Sequence, residues 1–503
     1  MELPFVISTL TRRGLLTPGS PARTIAQLGA LRQWGFTLAG ELRQAAVRDP
    51  DRTALIDDTD QRFTYRELLE RAERLAAALR TTLGVTAGDR IGLLCRNHPD
   101  LIAAMVAAGL LGADIVLLHT GLAGPQLAAV ADEQQLRVLL HDREFNEPVV
   151  AVGTEVVRVD EARIAELMRN APADARITPP DRDGRTIVLT SGTTGTPKGA
   201  RRRTPSGFGP LASIIDRIPL RVHERIMIAA PIFHTWGYAA LQIAFALRAT
   251  IVVHRRFEPA AALAAVERHD CTALFAVPVM LQRLVHDVPA PQRPTGLRVV
   301  AVSGSALGGG IATRFMDRYG DVLYNLYGST EVSWAAIATP ADLRRAPNTA
   351  GRPPRGTRLA VLDPAGEPVP TGQVGQIHVA NELLFEGYTA STASRAGNSA
   401  AQASRTASSA ATADRAGDSA TTADRQHGMI GTGDLGHVDA DGLLFVGGRA
   451  DDMIVSGGEN VFPSEVADLI AQLPQVREAA VIGLPDPESV SYTHLTLPTI
   501  CSV

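Results

Sequence analysis

Four short apolar runs limit the architectures open to this chain: Arg90-Ile91-Gly92-Leu93-Leu94, Ile115-Val116-Leu117-Leu118, Thr186-Ile187-Val188 and Val299-Val300-Ala301-Val302. Each is short, aliphatic or β-branched, and reads as a buried strand. Longer segments of helical character lie between them. Strands that alternate with helices predict a layered α/β architecture. Ala54-Leu55-Ile56-Asp57 and Arg62-Phe63-Thr64-Tyr65 flank a polar turn and predict a hairpin. Thr64 and Glu67 then form a T-x-x-E capping box, which predicts a helix through about Leu79.

Bulk properties narrow the function classes. With 503 residues, 45% of them hydrophobic and 20% charged, the chain has enough material for several core-bearing units. A net charge of -4 excludes the basic footprint of a nucleic-acid binder. The three cysteines support no disulfide framework, and Cys95 and Cys271 sit in apolar sequence. A reducing, cytoplasmic setting is the expectation. The start, Met1-Glu2-Leu3-Pro4-Phe5, lacks the pattern of a signal peptide. Leu101 to Leu118 is the most apolar stretch, yet Gly109, Gly112 and Asp114 interrupt it. A membrane span needs about 20 apolar residues, so a buried helix followed by a strand is predicted, with no transmembrane segment. Peripheral membrane contact stays open, without a specific signal.

The stretch richest in chemistry is Leu189-Thr190-Ser191-Gly192-Thr193-Thr194-Gly195-Thr196-Pro197-Lys198-Gly199. Its glycines permit tight turns, its hydroxyls are short donors, and Lys198, the only lysine in the chain, adds a positive charge. Successive backbone N–H groups in such a turn form a concavity for phosphate oxygens. The spacing is not that of a Walker loop, and no capped helix follows, so a P-loop NTPase is the weakest rival. A solvated Gly/Thr hairpin tip is the plain alternative. Arg201-Arg202-Arg203 follows and reads as a solvated face.

This loop resembles the signature of the adenylate-forming superfamily: acyl-CoA synthetases, luciferases and peptide-synthetase adenylation domains. The resemblance runs from about Trp34 to Glu488 through several motifs in family order. It implies an α/β fold, with a large multi-layered N-terminal domain of mixed sheets and a small α+β C-terminal domain. It implies that Thr190, Ser191, Gly192, Thr193, Thr194, Gly195 and Lys198 hold the β- and γ-phosphates of ATP. Pro231-Ile232-Phe233-His234-Thr235-Trp236-Gly237 resembles the acyl-pocket signature, which places His234, Trp236 and Gly237 by the reacting carboxylate. Amino-acid-selecting relatives carry aspartate after the phenylalanine, where this chain has His234. An unpaired α-ammonium is costly to bury, so an acyl or aryl acid is preferred. Gly304, in Ser303-Gly304-Ser305-Ala306, would border adenine and acyl group.

Asn325-Leu326-Tyr327-Gly328-Ser329-Thr330-Glu331 resembles a further signature. There Tyr327 and Gly328 would meet adenine, Thr330 the α-phosphate, and Glu331 would hold Mg²⁺. By the same resemblance Asp434 would accept both ribose hydroxyls, Arg449 would contact ribose, and Asp451 would be the interdomain hinge. Gly457 and Gly458 would line the channel for the pantetheine arm of coenzyme A. The implied reaction joins a carboxylic acid to CoA through an acyl-adenylate, with ATP cleaved to AMP and pyrophosphate. Wording near the start, including Arg12-Arg13-Gly14-Leu15-Leu16, resembles bacterial fatty-acyl-CoA synthetases. A fatty acid is therefore the expected substrate. The alternatives are an aryl- or short-acid ligase, a carrier-protein ligase, or a truncated ATP- and acyl-binding protein.

The expected division is residues 1–35 as an extension, 36–450 as the large domain, 451–489 as the start of the small domain, and 490–503 as a non-native tail. Two segments depart from the resemblance. From Thr389 to Gln426 there is no Val, Ile, Leu, Met or aromatic residue, and Arg395, Arg405, Arg415 and Arg425 recur at a fixed spacing. Such units cannot offset ordering entropy, and a disordered, duplicated insertion at 389–426 is expected. From Val490 the wording matches one reading frame of a transposase-type sequencing adapter, so truncation near Ser489 is expected. Family members carry a lysine in a Gly-Lys context beyond that point, and this sequence has no match for it.

Overall fold

The computed structural model describes residues 2–17, 20–172, 177–190, 198–289, 296–389, 425–450, 453–456, 459–470, 476, 479, 481–486 and 490–494. The chain forms two compact units. The first comprises Met1–Ile215, Pro219–Phe275 and Glu382–Ala423; the second comprises Asp216–Ile218, Ala276–Asn381 and Asp424–Val503.

The first unit contains a sheet in the order Gly387–Tyr388, Lys198–Arg202, Thr186–Thr190, Asp114–Leu117, Arg90–Leu94, Val138–His141, Val157–Asp160. Its five strands from Thr186–Thr190 onward are parallel. Strands Asp114–Leu117 and Val138–His141 are buried throughout, which explains the apolar runs Ile115-Val116-Leu117 and Val138-Leu139-Leu140 within them. Ala273–Ala276, Arg225–Ile228, Thr250–Val253 and Thr53–Ile56 lie in that order and are parallel, with Arg62–Thr64 closing an antiparallel hairpin on Thr53–Ile56. The helix Pro99–Leu110 is almost wholly buried, as expected of the interrupted apolar stretch. The capping box forms: the Thr64 hydroxyl accepts from Glu67 N at 3.2 Å and the Glu67 carboxylate from Thr64 N at 2.7 Å. That helix runs to Leu83, one turn beyond expectation, and ends where Gly84 turns left-handed.

In the second unit, Val299–Val302 and Leu323–Tyr327 are parallel, and Ala336–Ala338 returns antiparallel to the latter. An antiparallel sheet follows in the order Thr349–Gly351, Leu444–Arg449, Met429–Val438, Gly375–Ala380, Arg358–Leu362, with Arg425–Gln426 also paired to Met429–Val438. Ile454–Ser456 pairs with Glu459–Val461, and Ile482–Asp486 with Val490–His494. The architecture is α/β, with large N-terminal mixed sheets and a small C-terminal antiparallel sheet.

Two expectations are corrected. Arg201 and Arg202 are not a solvated face: both are half-buried, because Gly387–Tyr388 pairs along the outer edge of their strand and Arg201 Nη2 donates to the Tyr388 carbonyl at 3.2 Å. Cys95 is buried but not in purely apolar surroundings. Burial and the adjacent Asp142 carboxylate push its thiol pKa up, while burial lifts that of Cys271 to about 12. Among the described residues, no helix is long and apolar enough to cross a membrane.

Candidate active site

In the first unit, Thr186–Thr190 and Lys198–Arg202 are antiparallel, and Thr190 is the register partner of Lys198. The ends of the Gly/Thr loop are thereby fixed side by side. Ser191, Gly192, Thr193, Thr194 and Gly195 lie outside the described residues. Next in register, Gly199 has no room for a side chain: a Cβ would lie 2.7 Å from Thr389 Oγ1 and 2.8 Å from Ile187 Cγ2. Thr389 N donates to the Gly199 carbonyl at 2.7 Å, and Gln134 Nε2 donates to the Thr389 hydroxyl at 3.1 Å. A buried polar clasp therefore holds the strand that carries Lys198.

The Pro231–Gly237 segment begins at the end of a buried strand and is pinned by a residue that sequence reasoning missed. Asn97 Nδ2 donates to the carbonyls of Ile228 and Ala230 at 3.3 and 3.0 Å, and Asn97 Oδ1 accepts from Ile232 N at 2.8 Å. His234 then occupies the N-cap of the helix Thr235–Ala246. Its ring lies 5.2 Å from that of His119 and 4.6 Å from Phe233, while His119 and Phe233 are 5.3 Å apart, edge to face. Gly121 N donates to His119 Nδ1 at 2.9 Å, so the neutral His119 ring carries its proton on Nε2. Burial, with His119 adding to it, lowers the His234 pKa to about 4; burial also lowers that of His119. With both pKa values lowered, each imidazole is neutral near pH 7, with an N–H to donate but no counter-charge to supply.

Trp236 is buried with its ring 5.1 Å from Phe275. Gly237 is required by close approach, since a Cβ there would meet the Pro231 carbonyl oxygen at 2.1 Å. Thr186 Oγ1 donates to the Tyr238 hydroxyl at 3.0 Å, which ties this helix to the strand Thr186–Thr190 that leads into the Gly/Thr loop.

The second unit gathers Tyr327, Thr432, Asp434 and Arg449, although more than a hundred residues separate the first from the rest. Tyr327 ends its strand and donates from its hydroxyl to Asp434 Oδ2 at 2.6 Å, with Thr432 Oγ1 at 3.2 Å. Asp434 and Arg449 are cross-strand partners. Arg449 Nη1 donates to the Thr432 carbonyl at 3.1 Å and stands 3.9 Å from Asp434 Oδ1. Burial raises the Asp434 pKa and the Glu331 charge adds to the rise, against the Tyr327 hydrogen bond and Arg449. Burial and Asp434 hold the Tyr327 phenol well above its usual range. Gly328 and Thr330 follow Tyr327 closely in the chain, and Glu331 N donates to Ser329 Oγ at 3.3 Å. Gly304 adopts a φ of +107° at the end of its strand, and a Cβ added there would meet only Val277 Cγ1, at 3.5 Å. Asp451, Gly457 and Gly458 lie outside the described residues.

An aromatic ring, a carboxylate and a guanidinium so arranged suit a nucleoside, with the carboxylate able to accept from a vicinal diol. Comparison with known proteins agrees. The model of the AMP-binding enzyme family matches residues 42–389, and the chain belongs to that family. It is 32% identical over 429 residues to a feruloyl-CoA synthase of an Amycolatopsis species, spanning 84% of this chain and 81% of the relative. It is 30% identical over 468 residues to a 2-succinylbenzoate–CoA ligase of Bacillus velezensis, spanning 92% and 88%. Among solved structures it resembles o-succinylbenzoate CoA synthetase of Bacillus subtilis with its acyl-adenylate intermediate. The TM-score is 0.76 at 27% identity, covering 91% of this chain and 88% of that one. The enzyme is an ATP-dependent, AMP-forming acid–CoA ligase that works through an acyl-adenylate.

Thr432 lies within the Gly431–Asp434 motif, but nothing in the local sequence gives it a role. For His119 and Asn97 no sequence signal exists, because their meaning comes from groups far away in the chain.

Proposed function

We propose that the acid is aromatic rather than a long fatty chain. The observation that carries this reading is the ring cluster of His119 with Phe233 and His234, in which the exposed imidazoles of His119 and His234, backed by buried Phe233, offer ring edges and faces to a flat substrate. The two relatives named for ferulate and 2-succinylbenzoate support it. No aspartate follows Phe233, so an α-ammonium would go unpaired.

In the first step a carboxylate oxygen of the acid attacks the α-phosphorus of ATP, and pyrophosphate leaves with the bonding electron pair. Lys198, Thr190 and the loop donors would hold the β- and γ-phosphates, and neutral His234 would orient the carboxylate by donation. Tyr327 and Gly328 would bound the adenine, Asp434 and Arg449 would take the ribose, and Thr330 would contact the α-phosphate. Glu331, a hard oxygen donor whose charge is felt at Asp434, fits Mg²⁺, which when bound would screen the phosphate charge. In the second step the CoA thiolate attacks the acyl carbon and AMP leaves; Gly457 and Gly458 would flank the pantetheine arm. The division at 36–450 and 451–489, the hinge at Asp451, and a cytoplasmic setting belong to the same proposal.

A panel of hydroxycinnamates, benzoates and arylacetates against medium and long fatty acids tests it. The readouts are ATP–pyrophosphate exchange and thioester formation. Aromatic acids are expected to give the higher kcat/KM. A preference for fatty acids would overturn the reading. Exchange without thioester formation would point to a carrier-protein acceptor instead.

A further inference from the structure

The first 35 residues carry a second kind of surface. Leu3–Arg12 and Pro21–Trp34 are helices anchored on one side only, through buried Thr9, Leu10, Leu31 and Trp34. Arg43 stacks over the Trp34 ring at 4.1 Å. Their outward sides carry open apolar residues among polar ones: Leu3 is 68% exposed, Ile25 70% and Leu28 57%, Ile7 is exposed as well, and so is Leu16 between the two helices. Among the described residues, half of the exposed large apolar side chains fall in this short stretch. An isolated exposed leucine needs no explanation, whereas five exposed large apolar residues in one short stretch of chain do.

Charge says what covers it. From Leu3 to Gly40 the chain has four arginines, Arg12, Arg13, Arg23 and Arg32, and no aspartate or glutamate, in a protein whose net charge is -4. Arg12, Arg23 and Arg32 are exposed, on the same two helices as the apolar residues. Apolar side chains with arginines and no acids are the composition of a helix that lies in a lipid interface, its apolar residues among the acyl chains and its cations at anionic headgroups. A second copy of the chain would bring four more arginines against these four. We infer that the helices Leu3–Arg12 and Pro21–Trp34 dock on an anionic lipid bilayer, independently of which acid the enzyme activates. Neither helix is long or apolar enough to span. Binding is therefore peripheral, reversible and salt-sensitive.

The test is flotation of the full chain with vesicles of equal parts phosphatidylglycerol and phosphatidylcholine, and with phosphatidylcholine alone. The wild-type chain is expected to float with the anionic vesicles and to be released by salt. Ile25→Ser with Leu28→Ser should lower the partition coefficient about ten-fold or more. Arg23→Gln and Arg32→Gln should each lower it about five-fold. ATP binding should stay unchanged in all of these variants, and melting temperature in all but Arg23→Gln, which also removes a 3.5 Å hydrogen bond from Arg23 Nη1 to the Arg48 carbonyl. A wild-type chain that remains in the dense fraction overturns the inference, as do variants that float equally well. If the apolar variants instead turn a dimer into a monomer by light scattering, the surface belongs to a second copy and the lipid assignment falls.

Discussion

Replacing Tyr327 with phenylalanine removes one hydroxyl and leaves the ring. That hydroxyl is the 2.6 Å donor to Asp434, whose side chain is only 15% exposed. A hydrogen bond to a charged acceptor contributes about 1.5–3 kcal/mol, and residual solvent at Asp434 places this one near ~2 kcal/mol. For a unit of this size the melting temperature should fall by roughly 4–8 °C at neutral pH. The pH dependence carries the sharper test. Burial holds the folded pKa of Asp434 above its unfolded value. The stability it contributes is therefore fully present below the unfolded pKa and lost as pH rises through the folded one. The Tyr327 hydrogen bond limits that loss. Without it the folded pKa climbs further and the loss deepens at neutral pH. Near pH ~4 the protonated carboxyl forfeits only an ordinary hydrogen bond of about 1 kcal/mol. Calorimetry of wild type and Tyr327→Phe at both pH values measures the difference. An equal drop at the two, or no drop, refutes a buried carboxylate steadied by a phenol. AMP titrated into the same variant should bind more weakly, because the carboxylate proposed to take the ribose is harder to ionise.

Three further outcomes follow from the site. Because Lys198 is the only lysine, an amine-directed reagent read by peptide mass spectrometry reports on one side chain; ATP should protect it more than AMP does, and labelling indifferent to ATP would remove Lys198 from the phosphate site. His119→Gln should raise the pKa of His234 from about 4, followed by NMR of its ring protons, and should move the acidic limb of the activity profile the same way; burial would remain the larger cause, so the shift should be partial. Asn97→Ala strands two carbonyls and one N–H beneath the acyl-pocket segment, which should cost about 2–4 kcal/mol in urea unfolding and raise KM for the acid more than KM for ATP.

Local order was legible where a short stretch decides it. The Thr64–Glu67 box and the apolar strands depend on neighbours within a few residues, and the structure has them. Tyr327, Asp434 and Arg449 were each marked by resemblance to a motif. Their mutual hydrogen bonding was not, because register between distant strands is set by tertiary packing. Arg201 and Arg202 were misread because nothing in a charge run announces that Gly387–Tyr388 will lie beside it. His119 was invisible: its meaning depends wholly on standing against Phe233 and His234. Overall wording pointed to fatty acids, whereas two of the relatives are named for ferulate and 2-succinylbenzoate, and the proposed aromatic acid follows the latter.

The two ends of the repeat-bearing insertion are both built into sheets. Thr389 is clasped to Gly199 and Gln134, and Arg425–Gln426 pairs with Met429–Val438. Arg395, Arg405 and Arg415 lie between these clasps, and their ten-residue spacing carries on to Arg425 in the second one. Ten residues are a whole number of codons, so replication slippage that adds or removes one unit keeps the reading frame and leaves both anchors untouched. Isolates should therefore differ in this segment by multiples of ten residues, a length polymorphism usable as a strain marker.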